Sequence, residues 1–297
     1  MIYEIYHETK FDYANLVTFS HNIARLKPKN NSSQKLLEYS LKIEPNPYET
    51  NEFVDYFENT NNFMLIREAH KSLKVIATSK VERVLYEIKK EAYLLNTIKT
   101  TIKELRQRLN SYHPDDVLAK YFLFETESIP MPSTEIKEYI LESFDENRNI
   151  IEATNDFMSR IFNDFKFVSG FSDITTPIEV IFKEKKGVCQ DFAQFAISAL
   201  RSIGIPARYV SGYIQTIPPE GKEKLFGVDA SHAWFSIYIP DFGWADFDPT
   251  NNKIPNEEYI ILGYGRDYLD ISPLKGVVQS SGNSLISVKV DVREINS

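Results

Sequence analysis

The chain contains a single cysteine among its 297 residues, and this scarcity excludes several classes of protein. No disulfide can form within one chain, and a zinc site built from several thiolates is ruled out. A lone cysteine is in most proteins a small buried hydrophobic residue without a chemical role. A functional role for Cys189 must therefore be supported by the residues around it.

Long apolar runs are also missing. No stretch approaches the roughly 20 consecutive apolar residues that a membrane-spanning helix needs. The N-terminus alternates polar and apolar residues, with neither the basic segment nor the apolar block of a signal peptide. We therefore expect a cytoplasmic location and no association with a membrane.

An excess of positive charge is absent as well. The 34 Lys and Arg are outnumbered by 42 Asp and Glu, which gives a net charge of -8. Because phosphate contacts dominate nucleic-acid binding, a chain without a dense basic stripe is not expected to bind nucleic acid or an anionic membrane. The share of hydrophobic residues, 42%, is that of a globular protein with a sizeable core.

A metal site is not predicted either. There are five histidines, and no two of them fall at the spacing of zinc ligands. No run of acidic residues has the pattern of an EF-hand calcium loop. We expect a site that uses neither a metal nor another cofactor.

The hydrophobic pattern divides the chain into two parts. Residues 1–88 show period-2 alternation broken by turn residues, which predicts an N-terminal β-sandwich-like domain. Helical spacing begins near residue 89, so we assign 89–297 to a second domain of mixed α+β type. This domain is divided into a helical lead-in (89–165), a core (166–270) and a closing strand (271–297).

The densest pattern lies in the C-terminal third. A helix is predicted to start at Cys189, and Gly204 marks its end. Strands are predicted over 207–213, 232–239 and 244–248. A polar loop that contains Pro218-Pro219-Glu220-Gly221 separates the first two of these strands.

Cys189 is predicted to lie where unpaired backbone N–H groups and the helix dipole favour an anion. The thiolate is the nucleophilic form, so this position suits a reactive cysteine. Gly187 would let a substrate approach the backbone, and the Cys189 N–H is a candidate donor to an oxyanion. Lys183, Lys185 and Lys186 could add positive potential, although a solvated charged turn is the simpler interpretation.

A thiolate needs a base, and His232 is the best placed of the histidines. The other four lie in the N-terminal β region or before a proline at a helix end, where surface or capping roles are expected. Strand alternation puts His232 on the face opposite to Ala233, Phe235 and Ile237, which point to the core.

A third residue should accept a hydrogen bond from the imidazole and fix its tautomer. The next strand offers Asp246 and Asp248, and the residues alone leave this choice open. A tight turn would set Asp248 opposite Phe235, so a wider loop or a bulge is needed to bring it to His232. Asp191 is expected to cap the Cys189 helix.

Four blocks of the C-terminal third resemble the transglutaminase-like family of papain-type thiol enzymes, in its bacterial branch. They are GVCQDFA (187–193), GIPARYVSGY (204–213), DASHAW (229–234) and GWADFDPTN (243–251). Residues 265–268 resemble a further block, and the N-terminal β region resembles the domain that often precedes this core. The resemblance implies a Cys helix packed on an antiparallel sheet, and a catalytic triad of Cys189, His232 and Asp248.

The resemblance also implies a thioester acyl-enzyme, which water or an amine could attack. Because hydrolysis needs less apparatus than amine binding, we expect a cysteine peptidase or amidase that acts on protein or peptide amides. Transglutaminase-type transfer from glutamine to an amine is the alternative, and a non-catalytic binding scaffold is a third. Trp234 and Trp244 are often wall residues of such sites, although packing accounts for them equally well.

Overall fold

The computed structural model describes residues 1–216, 226–227, 229 and 231–295. The predicted polar loop with Pro218-Pro219-Glu220-Gly221 lies outside these residues. The strands are β1 (Ile2–Val17), β2 (Phe19–Ala24), β3 (Gln34–Glu44), β4 (Glu49–Val54), β5 (Thr60–Ile66), β6 (His70–Arg83), β7 (Lys166–Phe167), β8 (Lys186–Gly187), β9 (Ala207–Ile214), β10 (Ser231–Ile239), β11 (Gly243–Phe247), β12 (Tyr259–Gly265), β13 (Leu274–Gln279) and β14 (Ser284–Ile295). The α-helices are α1 (Leu85–Thr97), α2 (Ile102–Arg108), α3 (Pro114–Ala119), α4 (Thr134–Leu141), α5 (Ile150–Asp164), α6 (Ile178–Glu184), α7 (Cys189–Ser202) and α8 (Tyr268–Ile271), and a 3-10 turn spans Lys120–Leu123.

Two four-stranded antiparallel sheets form a sandwich, in the orders β14-β1-β6-β3 and β13-β2-β5-β4. Strand β6 alternates buried and partly exposed residues along its length, as expected for a strand with one face on a core. Its Leu73 and Val75 pack with Met64 and Ile66 of β5, so the sandwich core lies between the two sheets.

Strands β13 and β14 correct the predicted domain boundary. The predicted assignment of residues 271–297 to the second domain, as its closing strand, is wrong. Strand β14 pairs with β1 from Ile2↔Ile295 to Tyr13↔Ser284, and β13 pairs with β2. The C-terminal strands therefore complete the two sheets of the N-terminal sandwich. A local hydrophobic pattern predicts a strand but not its distant partner.

The central sheet of the second region has the order β11-β10-β9-β12, and all its pairs are antiparallel. Helix α7 packs on one face, against Ala233, Phe235 and Ile237 of β10. Those residues face the core as predicted. The helix is amphipathic, but most of its residues are buried because α4 and α6 also pack on it. No helix in the described part of the chain has the length and hydropathy needed to cross a membrane.

Two buried amide side chains join the sandwich to the central sheet. Gln34 exchanges hydrogen bonds of 2.8 Å with the backbone N–H and C=O of Ile261. Asn59 does the same at Tyr264, at 2.7 and 2.9 Å. These amides satisfy backbone groups at the open edge of β12, which would otherwise be left without partners. The sandwich thereby fixes the strand that lies next to β9.

Candidate active site

Helix α7 begins at Cys189, and its first turn is held by Asp191. The Val188 N–H donates to Asp191 Oδ2 at 2.7 Å, and the Ser172 hydroxyl donates to the same oxygen. Burial raises the pKa of Asp191, and these hydrogen bonds offset only part of that effect. Asp191 therefore caps the helix start, as the sequence predicted.

Gly187 is required by this cap. A Cβ atom at this position would lie 2.9 Å from both Cβ and Oδ2 of Asp191, and 3.1 Å from a ring carbon of Phe192. The predicted reason for this glycine was that it lets a substrate approach the backbone closely. The packing against Asp191 and Phe192 already accounts for it.

Of the three lysines before the helix, Lys183 is exposed, as expected of a solvated turn, but Lys185 is not solvated in this way. Lys185 adopts a left-handed conformation with φ 51° after α6. Its Nζ lies 3.6 Å from the ring centroid of Phe182 and 4.4 Å from those of Tyr139 and Phe165. Burial lowers the pKa of Lys185. Its ammonium group thus stabilises an aromatic cluster by cation–π contact.

His232 joins a buried carboxylate to the thiol. Its Nε2 lies 2.7 Å from Asp248 Oδ2, and Asp248 is fully buried. Burial by itself would lower the pKa of His232, but hydrogen bonds with Asp248 and Cys189 outweigh this effect and raise the pKa. Because Nε2 is occupied by Asp248, Nδ1 is the ring nitrogen left for Cys189. The raised pKa favours the imidazolium, which is the form that pairs with a thiolate.

Asp248 accepts several hydrogen bonds besides the one from His232. The Tyr259 hydroxyl and Asn251 Nδ2 each donate to Oδ2 at 2.7 Å, and the Thr250 N–H donates to Oδ1 at 2.9 Å. Burial would raise the pKa of Asp248, but the contact with His232 and these donors hold it below its usual value. The carboxylate is therefore ionised and fixed in place.

Two members of this network were missed by the sequence analysis. Asn251 lies in the quoted block that contains Asp248, only three residues further on, so its place in the block was a usable signal. Tyr259 lies on β12, which pairs with β9 and does not neighbour β10. No sequence spacing predicts that its hydroxyl reaches Asp248, because the contact depends on how the sheet twists.

The connection between β10 and β11 solves the predicted register problem. The turn leaves Ile239 paired with Gly243, and the last pair is Phe235↔Phe247. Asp248 therefore lies one residue closer to His232 than a tight turn would place it. Asp248 then forms an isolated antiparallel β-bridge with Lys253. This bridge ends the strand, and the Asp248 carboxylate points at the imidazole.

Asp246 serves another purpose. Its Oδ2 accepts from Trp234 Nε1 at 3.1 Å, and its Oδ1 accepts from the Ser236 hydroxyl. Trp234 is fully buried, and its ring centroid lies 5.9 Å from that of His232. The structure thus brings Cys189, His232 and Asp248 together, and it directs Asp246 to the indole of Trp234.

No group of three or more His, Cys, Asp or Glu residues that could hold a metal ion occurs in the part of the chain that the structure describes. The half-buried thiol, the imidazole and the buried carboxylate are the arrangement of a thiol nucleophile with its base and orienting acid.

Comparisons with known proteins identify the family. Residues 3–82 match the bacterial transglutaminase-like N-terminal region, and residues 138–249 match the transglutaminase-like superfamily. An uncharacterized protein of Mycobacterium tuberculosis is 34% identical over 295 residues, which cover 98% of this chain and 92% of that protein. The chain belongs to the transglutaminase-like superfamily, as the sequence blocks indicated.

A solved structure shows the same fold. A candidate cysteine protease from Cytophaga hutchinsonii has a TM-score of 0.76 at 20% identity, with 100% of this chain and 91% of that chain covered. The predicted α+β fold, with an N-terminal β domain and a transglutaminase-like core, is confirmed. A protein-glutamine gamma-glutamyltransferase of Pseudomonas aeruginosa is 35% identical over 102 residues, or 32% of this chain and 15% of that protein.

Proposed function

We propose that the protein is a thiol-dependent amide hydrolase, a cysteine peptidase or amidase that acts on protein or peptide substrates. The observation that carries this proposal is the hydrogen-bonded series from Cys189 through His232 to the buried Asp248. A buried carboxylate that only stabilised the fold would not need a histidine that contacts the one thiol of the chain.

The geometry supports a definite order of steps. The Cys189 thiolate attacks an amide carbonyl, and the backbone N–H at the start of α7 stabilises the oxyanion. His232 then protonates the leaving amine, which breaks the C–N bond and leaves a thioester on the sulfur. A water molecule gives a proton to His232 as it attacks the thioester, and this step releases the acid and the thiol. Asp248 holds the imidazole in the required tautomer throughout.

Acyl transfer to an amine is the second candidate, and the similarity to the Pseudomonas aeruginosa glutamyltransferase favours it. One thioester chemistry would serve both reactions. The two functions differ only in whether water or a primary amine attacks the thioester.

One experiment separates the candidates. The wild-type protein is incubated with a glutamine-containing peptide, with and without an excess of a primary amine, and the products are analysed by mass spectrometry. We expect cleaved or deamidated peptide in both reactions. Amine-adducted peptide as the main product would support the transferase instead.

Cys189→Ala is the control, with an expected loss of all turnover and an unchanged circular dichroism spectrum. Residual turnover in this variant would overturn both candidates, because each requires the thioester. Lack of turnover in the wild type, together with slow alkylation of Cys189, would support a binding scaffold.

A further inference from the structure

The central sheet has a cavity on the face opposite to α7. Its volume is about 460 Å³, within the size range of small-molecule sites. Trp234, Trp244 and Phe242 contribute apolar wall, and Arg83 and Arg208 contribute two guanidinium groups. Cys189 and His232 do not line it, so this cavity is distinct from the proposed catalytic site.

Arg208 presents a guanidinium that lacks a carboxylate partner. Its Cζ lies 3.5 Å from the ring centroid of Tyr264 and 4.4 Å from that of Trp244, so aromatic rings cover the planar faces of the group. Its Nε makes a long hydrogen bond of 3.4 Å to the Ser236 hydroxyl. Among the described residues, no carboxylate lies within ion-pair distance of it. The edge of the guanidinium group, where its N–H bonds point outward, is the part that binds anions.

Arg83 is the second cation, with a side chain only 5% exposed. Its terminal nitrogens reach neutral acceptors, Gln34 Oε1 at 3.3 Å and the Asn256 carbonyl at 3.2 Å. Its Nε is buried and has no hydrogen-bond partner in the described part of the chain. A buried donor without a partner costs free energy that a ligand acceptor would recover.

The acidic residues around the cavity do not neutralise these two arginines by contact. Glu87 pairs with Lys90 at the rim. Asp246 accepts hydrogen bonds from Trp234 and Ser236, and it attracts both arginines electrostatically without contacting either. Partial desolvation at the rim and the nearby Asp246 raise the pKa of Glu91, an exposed residue, to about 7, so it carries only part of its charge at neutral pH.

We propose that this cavity binds a small organic carboxylate. Its carboxylate pairs with the guanidinium edge of Arg208 near the second cation, Arg83, and its apolar body packs on the partly exposed Trp244. Tyr259, whose hydroxyl donates to Asp248, also lines this cavity. This proposal does not depend on the catalytic activity of Cys189.

Tryptophan fluorescence reports on this cavity directly, because the chain has two tryptophans and both line it. The probe is cyclohexanecarboxylate, which is titrated into the full chain at constant ionic strength. The matched neutral compound, cyclohexanecarboxamide, has the same apolar body. We expect a saturable change at millimolar concentrations or below with the acid only.

Variants test the assigned contacts. Arg208→Gln should weaken binding roughly tenfold or more, because a charge-assisted pair is lost. Lys90→Gln is the matched control, because it removes a rim charge that is already paired with Glu87. The affinity of this variant for cyclohexanecarboxylate should stay close to that of the wild type. Glu91→Gln should tighten binding at pH 8, where Glu91 is ionised, and Cys189→Ala should leave it unchanged.

Three results would overturn the proposal: no saturable change in wild type, an equal response to the amide, or wild-type affinity in folded Arg208→Gln. If Arg208→Gln does not fold, Glu91→Gln decides the matter, because its affinity must rise if the bound group is an anion. Loss of binding in Cys189→Ala would mean that the probe occupies the catalytic site.

Discussion

The two faces of the central sheet differ in how completely their side chains are satisfied. The face against α7 is apolar, with Phe235 and Phe247 stacked at a centroid distance of 5.7 Å. The opposite face carries Arg208, Trp234 and Asp246 beside a cavity. One face has the close packing of a core. On the other face, polar groups make long hydrogen bonds, bond to neutral acceptors or lack a partner in the described part of the chain.

This difference indicates a division of roles. Close packing under α7 holds the helix, and with it Cys189, in a fixed position relative to β10. The incompletely paired charges on the polar face contribute little to folding, because buried charges without full pairing cost free energy. Such groups are expected where a ligand, and not the fold, supplies the missing partner. His232 and Asp248 lie at the end of the sheet, between the packed face under α7 and the polar face with the cavity.

The largest expected effect concerns the two carboxylates next to β10. Asp248→Asn should lower turnover on the order of 10³-fold or more, because the amide can no longer hold the imidazole in the required tautomer. Asp246→Asn should stay within a few-fold of wild type, since Trp234 and Ser236 are its partners. Steady-state kinetics on a peptide substrate measures both. Equal losses in the two variants would remove the distinction between the carboxylates.

A stability measurement sharpens the comparison of the faces. Phe195 of α7 is fully buried, with its ring centroid 4.9 Å from that of Phe165. Phe195→Ala should lower the free energy of unfolding by about 3–5 kcal/mol, because it leaves a cavity in the core. Arg208→Met, on the cavity face, should change it by no more than about 1 kcal/mol. Urea denaturation gives both values, and a cost for Arg208→Met as large as that for Phe195→Ala would contradict the assigned roles.

The sandwich should give a smaller, pH-dependent effect through His7. Burial lowers the pKa of His7 to about 4, and its ring bonds the Tyr213 and Thr9 hydroxyls, each at 2.9 Å. In the unfolded chain His7 binds a proton below about pH 6.5. In the folded chain His7 stays neutral until the pH falls to about 4. Stability from His7 should therefore fall by on the order of 3 kcal/mol as the pH drops between these values.

The control for this effect is His7→Gln, measured by denaturation at pH 7 and pH 4.5. The difference between the two proteins isolates His7, because the other titrating groups are common to both and cancel; they include Glu91, whose raised pKa acts in the opposite direction over this range. The raised pKa of His232 makes stability depend on pH only above pH 6.5, where its contribution is lost, and the lowered pKa of Asp248 does so only below its ordinary value. An equal pH dependence in both proteins would show that His7 is not the titrating group.

Local patterns predicted those parts of the molecule that depend on near neighbours in the chain. The helix start at Cys189, its cap by Asp191 and the strands that carry His232 and Asp248 follow from periodicity and turn residues. The choice between Asp246 and Asp248 came from the family resemblance, because the register depends on the exact turn.

Long-range contacts could not be predicted in this way. The return of β14 to β1 joins residues nearly 300 positions apart, and any exposed strand could have accepted it. The hydroxyl of Tyr259 reaches Asp248 across the sheet, and the stacking of the Tyr264 ring on Arg208 depends on the pairing of β12 with β9. These features exist only once the tertiary structure has formed.

The most direct test of the central claim is the rate of iodoacetamide alkylation at Cys189 as a function of pH, in wild type and in His232→Ala. The thiol is the only one in the chain, so labelling needs no separation of sites. We predict fast labelling well below pH 8 in the wild type and its loss in the variant, because the imidazolium supports the thiolate. Labelling that rises in both proteins only near pH 8.5, as for an ordinary thiol, would contradict the proposed pair.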